Sequence, residues 1–102
     1  MAKVIVSKQA RDDLIGIHDY ICNVLENPDA AHRILGMLKR GIESLSKMPL
    51  RGKPLNVILT VNSEYRFLVC ERYRIFYLFN NDKIEVVRIL HSLQDYMKAL
   101  FF

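Results

Sequence analysis

The chain has 102 residues, 51% of them apolar and 25% charged, with a formal net charge of +4 and a pI near 9.2. That is room for one small core, so a single domain over 1–102 is expected, with little room for a second. No run approaches the ~18 apolar residues of a membrane span, MAKVIVSKQA lacks the apolar core of a secretory leader, and the positive charge favours anionic partners; the expectation is a soluble, cytoplasmic protein.

Lys3–Val6 reads as a short apolar strand ending at Ser7, which is suited to cap a following helix. Ala10, Leu14, Ile17, Ile21 and Val24/Leu25 then recur at helical spacing, with Asp12, Asp13 and Asp19 off that stripe. Asn27-Pro28 breaks the pattern and restarts it, Asn27 as N-cap and Pro28 as first helical residue. Ala31, Ile34/Leu35, Leu38, Ile42 and Leu45 form a second stripe, which Pro49 ends. The short connection predicts an antiparallel helix hairpin. A loop with Gly52 and Pro54 follows, with an extended piece at Val57–Val61.

Strands are then predicted at about 64–70, 72–79 and 84–90, the last two joined by the turn cluster Asn80-Asn81-Asp82. Residues 92–102 read as a short C-terminal helix or tail. The fold class is therefore α+β: an N-terminal strand, a two-helix hairpin packed on a small, mainly antiparallel sheet, and the tail. In the run from Arg72 to Phe79, Tyr73, Ile75, Tyr77 and Phe79 share one face, which should pack on the hairpin. Arg72, Arg74, Phe76 and Leu78 share the other, expected open, face. Arg66 shares a face with Leu68 and Cys70. Arg88 and His91 have opposite parity, so one of them faces the helices or lies past the strand end.

Arg66, Arg72, Arg74 and Arg88 lie within probable strands, where a small protein usually places valine or threonine. Guanidinium groups stay charged and suit phosphate and carboxylate geometry, so this sheet is expected to meet a polyanion. The competing reading is pairing with Glu64, Glu71 or Glu85 across strands. The charge is uneven: residues 1–50 carry seven Lys/Arg against six Asp/Glu, and residues 51–102 carry eight against five. Cys22 and Cys70 lack CxxC spacing and are expected to be free thiols. His18 and His32 lie beside the helix stripes without ligand spacing, so no metal is expected, and no cofactor is called for.

PLRGKPL (Pro49–Leu55), YRFLV (Tyr65–Val69), ERYRIFY (Glu71–Tyr77) and VVRILHSLQD (Val86–Asp95), in this order, resemble the toxins of the RelE/ParE superfamily. These are the toxic halves of type II toxin–antitoxin modules. The resemblance spans nearly the whole chain and implies growth inhibition neutralised by a cognate acidic antitoxin. Operator DNA would be bound only through the antitoxin.

The superfamily holds two activities on one fold. RelE-type members cut mRNA in the ribosomal A site without a metal; ParE-type members inhibit DNA gyrase. On the nuclease reading, Arg74 would clamp the phosphate, Arg66 would assist, and His91 would act as acid or base. Arg72, Arg88 and Lys53 would contact the anion, and Tyr96 would donate a proton or stack on a base. Departures weigh against that reading. Where RelE-type toxins have a basic cluster after the last strand, this chain reads Ser92-Leu93-Gln94-Asp95. The loop Gly52-Lys53-Pro54-Leu55 lacks the glutamate of YoeB-type toxins, and His91 is followed by Ser92 rather than tyrosine. The His-x-x-x-Asp ending resembles ParE-type members and slightly favours gyrase, with His91 either catalytic or hydrogen-bonded to Asp95. Tyr73 and Tyr77 are expected in the core. Met97, Leu100, Phe101 and Phe102 either pack on the chain's own core or help form the antitoxin groove.

Overall fold

The computed structural model describes residues 1–57 and 63–102. Strand β1 (Lys3–Val6) leads into helix α1 (Lys8–Asp19), which continues as a π turn over Tyr20–Val24. Ser7 caps α1 by accepting the Ala10 amide at 3.0 Å. Helix α2 (Pro28–Lys47) starts on Asn27, whose side chain accepts the Ala30 amide at 3.1 Å, with Pro28 at the first position. Between the helices Glu26 takes a left-handed conformation, φ 52°. Strand β2 (Lys53–Pro54) is followed by a 3-10 turn at Leu55–Val57. Of the extended piece expected at Val57–Val61, Val57 closes this turn, and 58–61 lie outside the described residues. Strands β3 (Arg66–Cys70), β4 (Tyr73–Asn80) and β5 (Lys83–His91) and helix α3 (Tyr96–Phe101) complete the chain.

The sheet order is β1-β5-β4-β3-β2, with β1 parallel to β5 and the other pairs antiparallel. The β4–β5 hairpin turns on Asn81 and Asp82, both at positive φ (51° and 57°), as a two-residue type I′ turn requires. One sheet face packs on the helix hairpin, with Tyr77, Ile75, Ile84, Val86 and Ile89 against Leu38, Ile42 and Leu45. Burying these side chains supplies most of the driving force, at about 1.5–3 kcal/mol each before entropy is counted. Gly41 of α2 permits the approach, since a Cβ there would lie 2.9 Å from Cys70 Sγ.

The opposite face is not open along its length. Leu55, Phe67, Phe76 and Leu90 form a second core, covered by Tyr96, Ala99 and Leu100 of α3. Tyr96 stands edge-on to Phe76 at 4.9 Å. The apolar spacing Tyr96, Ala99, Leu100 is what turns the tail into a lid on this face.

A register shift between Phe76 and Tyr77 leaves Val87 as an extra residue on β5, because Phe76 faces Arg88 while Tyr77 faces Val86. This resolves the parity of Arg88 and His91. Ile84 and Val86 point to the helices; beyond the bulge Ile89 does, and His91 sits opposite Tyr73 on that same face. Arg88 lies opposite Phe76 and reaches the α3 side.

Candidate functional site

The sheet end carrying the β3–β4 turn and the last residue of β5 meets the tip of the helix hairpin in a cleft of about 520 Å³. Tyr73 and His91 form its floor at the sheet, and Ile21, Leu25 and Ile34 form an apolar wall from the helices. Its rim is charged. Arg33 of α2 pairs with Glu71 of the β3–β4 turn at 3.1 Å, and Arg72 stands beside them. Glu71 occupies the turn at φ 52°. Tyr20, Tyr73 and His91 separate this cleft from a second hollow of about 620 Å³ that runs along α1 to Leu93 and Gln94.

His91 is held from several sides. Its ring meets Tyr73 edge-on at 5.4 Å. Its Nδ1 accepts the Leu93 amide at 3.1 Å, which places the proton of the neutral ring on Nε2. Its own amide donates to Gln94 Oε1 at 2.7 Å. Of the two readings of His91, the hydrogen bond to Asp95 is not formed, these contacts taking its place. Asp95 instead caps α3 by accepting the Lys98 amide at 3.1 Å. Burial, assisted by Tyr20, pushes the Tyr73 phenol above its ordinary value.

The arginines do not converge. Arg72 lies in the β3–β4 turn rather than in a strand, and it joins His91 at the cleft. Arg74 sits opposite Val69 and Leu90, on the sheet face away from the helices, with Nη1 donating to the Glu71 and Tyr73 carbonyls at 3.3 Å each. Arg66, on the helix face, donates to the Gly52 carbonyl at 2.8 and 3.2 Å and to the Leu50 carbonyl at 3.3 Å. It thereby fastens the loop before β2. Gly52 in that loop has no room for a Cβ, which would fall 2.6 Å from the Tyr77 hydroxyl and 2.7 Å from the Phe67 carbonyl. The buried Tyr77 hydroxyl accepts the Gly52 amide at 3.0 Å and donates to the Pro49 carbonyl at 2.7 Å.

Arg88 pairs with Asp13 rather than with Glu85. Its Nε and Nη2 grip both oxygens of Asp13 at 2.8 and 2.9 Å, and Nη1 donates to the Ala99 carbonyl at 3.2 Å. Asp13 also accepts the Ile89 amide at 2.9 Å. The hydrogen bonds to Asp13 hold the Arg88 pKa above its ordinary value, against the opposing effect of burial. This cluster ties α1, β5 and α3 together.

Lys53 is exposed on the short strand β2. The Tyr96 hydroxyl donates to the Ser92 carbonyl at 3.3 Å while its ring fills the second core. Leu100 packs on that core, Phe101 lies edge-on to Tyr65 at 5.6 Å, Met97 is half-buried, and Phe102 is 92% exposed. Cys22 and Cys70 are free.

Asp13, Arg33, Glu71 and Tyr20 were missed as site residues from sequence. Asp13 had a signal: it is three residues after Ala10 and four before Ile17, on the flank of the buried stripe. The Arg33–Glu71 pair had none, since the two are 38 positions apart and meet only through the fold.

A family described as the ParE toxin of the type II toxin–antitoxin system, parDE, matches residues 4–96. No curated protein matches the chain. Among solved structures, it is similar to the chromosomal ParDE TA system from P. aeruginosa, at 19% identity and TM-score 0.74. That match covers 89% of this chain and 96% of the other. It is also similar to the toxin–antitoxin complex RelBE2 from Mycobacterium tuberculosis, at 23% identity and TM-score 0.65, covering 88% and 96%. At these identities the structural likeness is one of fold.

Proposed function

Because the chain belongs to the ParE toxin family of type II toxin–antitoxin systems, we propose that it arrests growth by binding DNA gyrase and not by cutting RNA. The observation that carries this reading is the dispersal of its basic groups. Cleaving a phosphodiester needs a base, an acid and a cationic clamp within hydrogen-bond reach of one phosphate. Here Arg66 is committed to loop carbonyls, Arg88 to Asp13 and Arg33 to Glu71, Arg74 lies on the sheet face opposite His91, and only Arg72 of these arginines shares the cleft with His91 without such a partner among the described residues. Asp95 caps a helix. A binding function needs no such convergence.

The surface offered to the target is the cleft, with Arg33, Arg72 and His91 over an apolar wall. Exposed Tyr20 and Leu25 stand at its mouth. Aromatic, arginine and aliphatic groups around a hollow are the usual makeup of a binding hot spot. A cognate antitoxin of acidic character matches the +4 charge, and the two solved structures named above are described as a toxin–antitoxin system and a toxin–antitoxin complex. Phe102, with Met97 and Phe101 beside it, is the apolar edge proposed for that partner. Operator DNA is reached only through the antitoxin.

The test adds the purified chain to gyrase supercoiling reactions and, separately, to ribosomes programmed with mRNA. Inhibited supercoiling with intact mRNA is expected. Cut mRNA with supercoiling unaffected would overturn the reading in favour of RelE-type cleavage.

A further inference from the structure

We propose that the tip of the helix hairpin is a binding site for a thiophilic divalent metal, Zn²⁺ in chemical class, held by His18, Cys22 and His32. His18 and Cys22 are four residues apart, where α1 runs into the π turn over Tyr20–Val24, so both side chains project from one face. Cys22 Sγ stands 3.6 Å from His18 Nε2. Tetrahedral zinc, with Zn–S about 2.3 Å and Zn–N about 2.0–2.1 Å, sets its sulfur and nitrogen ligands about 3.6 Å apart. The first two ligands are therefore already at chelating distance.

The other nitrogen of His18 has the partner a ligand histidine requires. Nδ1 lies 3.3 Å from Asp19 Oδ1, which keeps the ring proton on Nδ1 and the Nε2 lone pair toward Cys22. A carboxylate behind a ligating imidazole is the usual outer support of a zinc site. The third ligand comes from the opposite helix. The His32 ring, in the first turns of α2, lies 5.9 Å from the His18 ring, centroid to centroid, tilted by 33°. Among the described residues no group of three His, Cys, Asp or Glu side chains stands placed to hold a metal ion, so the site forms only if His32 turns inward. Its side chain is exposed and makes no hydrogen bond among the described residues, so little opposes that rotation. Water completes the tetrahedron.

None of the three belongs to either core, and none lines the cleft. Cys22 lies in the π turn that ends the first helix. Thiolate and imidazole together select zinc over magnesium or calcium. On binding, the Cys22 thiol proton leaves to solvent and the thiolate takes the metal. The ion then braces α1 to α2 across the Leu25–Asn27 link, next to Tyr20, Ile21 and Leu25 of the cleft.

The experiment titrates the full chain, under reducing conditions, with Co²⁺ followed by absorbance and with Zn²⁺ followed by Tm. One equivalent of Co²⁺ should give a thiolate charge-transfer band with tetrahedral d–d bands, Zn²⁺ should displace it and raise Tm, and Mg²⁺ should do neither. Cys22→Ser and His18→Ala should abolish the band, His32→Ala should weaken binding by about tenfold or more, and Cys70→Ser should leave it intact. Far-UV circular dichroism confirms that each variant is folded. A band that survives Cys22→Ser, is lost in Cys70→Ser or is insensitive to His32→Ala would overturn the proposal. So would the absence of binding at about 100 μM metal, well above the apparent dissociation constants of structural zinc.

Discussion

Replacing Arg88 with alanine tests whether the Asp13–Arg88 pair fastens α1 and α3 to the sheet. Both side chains are largely covered, 23% and 15% exposed, and the pair is bidentate at 2.8 and 2.9 Å. At an effective dielectric of about 20, unit charges ~4 Å apart attract by about 4 kcal/mol, part of which desolvation cancels. Exposed pairs contribute about 0.2–1 kcal/mol, while breaking a buried pair costs about 3–5 kcal/mol. With Arg88 gone, the Asp13 carboxylate keeps only the Ile89 amide, and the Ala99 carbonyl loses a donor. The expected loss is therefore about 2–3 kcal/mol, which lowers Tm by roughly 10 °C or more in a domain of this size. The assay is chemical denaturation of the parent, Arg88→Ala, Asp13→Asn and the double variant. The cycle should give a coupling of about 2 kcal/mol. Because Arg88 titrates above its ordinary value, its part in the pair is fully present at every pH below the arginine range, so the coupling should not fall between neutral and pH 9. A coupling below about 0.5 kcal/mol, the worth of an exposed pair, would refute the reasoning.

Tyr77→Phe removes a hydroxyl that bridges the Gly52 amide and the Pro49 carbonyl; a loss of about 1–3 kcal/mol is expected by denaturation, and an unchanged midpoint would contradict it. Cys70 titrates above its ordinary value because burial outweighs the opposing pull of Arg51 and Arg74, so the native thiol keeps its proton where the unfolded one loses it. Its stabilising contribution is present below the ordinary thiol pKa and is lost as pH rises through the folded one, and iodoacetamide at pH 9 should label native Cys70 more slowly than denatured Cys70. Deleting Phe102 should leave Tm unchanged, whereas Leu100→Ala should lower stability by about 1–3 kcal/mol because that side chain packs on the second core; equal effects would contradict the division of the tail.

The elements were largely legible because their signals are local. Ser7, Asn27 and Pro28 mark helix starts, Asn81-Asp82 supplies two left-handed residues, and Tyr73, Ile75 and Tyr77 alternate as a strand should. Alternation failed where the backbone stopped alternating. The bulge at Val87 reverses parity between Val86 and Ile89, and no residue in that run announces it. The candidate site was less legible because its charged partners lie far apart along the chain. Arg88 finds Asp13 at 75 positions' separation, and Arg66 takes backbone carbonyls, which carry no sequence signal. The face expected to lie open is partly covered because the spacing of Tyr96, Ala99 and Leu100, though present, is too short to fix where the helix docks.

The most direct test of the central claim is pulse labelling of bacterial cells after inducing this chain alone, with thymidine and methionine incorporation followed together. A gyrase-directed toxin predicts that thymidine incorporation falls first. Methionine incorporation collapsing within minutes, with thymidine intact, would contradict the account and point to ribosomal mRNA cleavage.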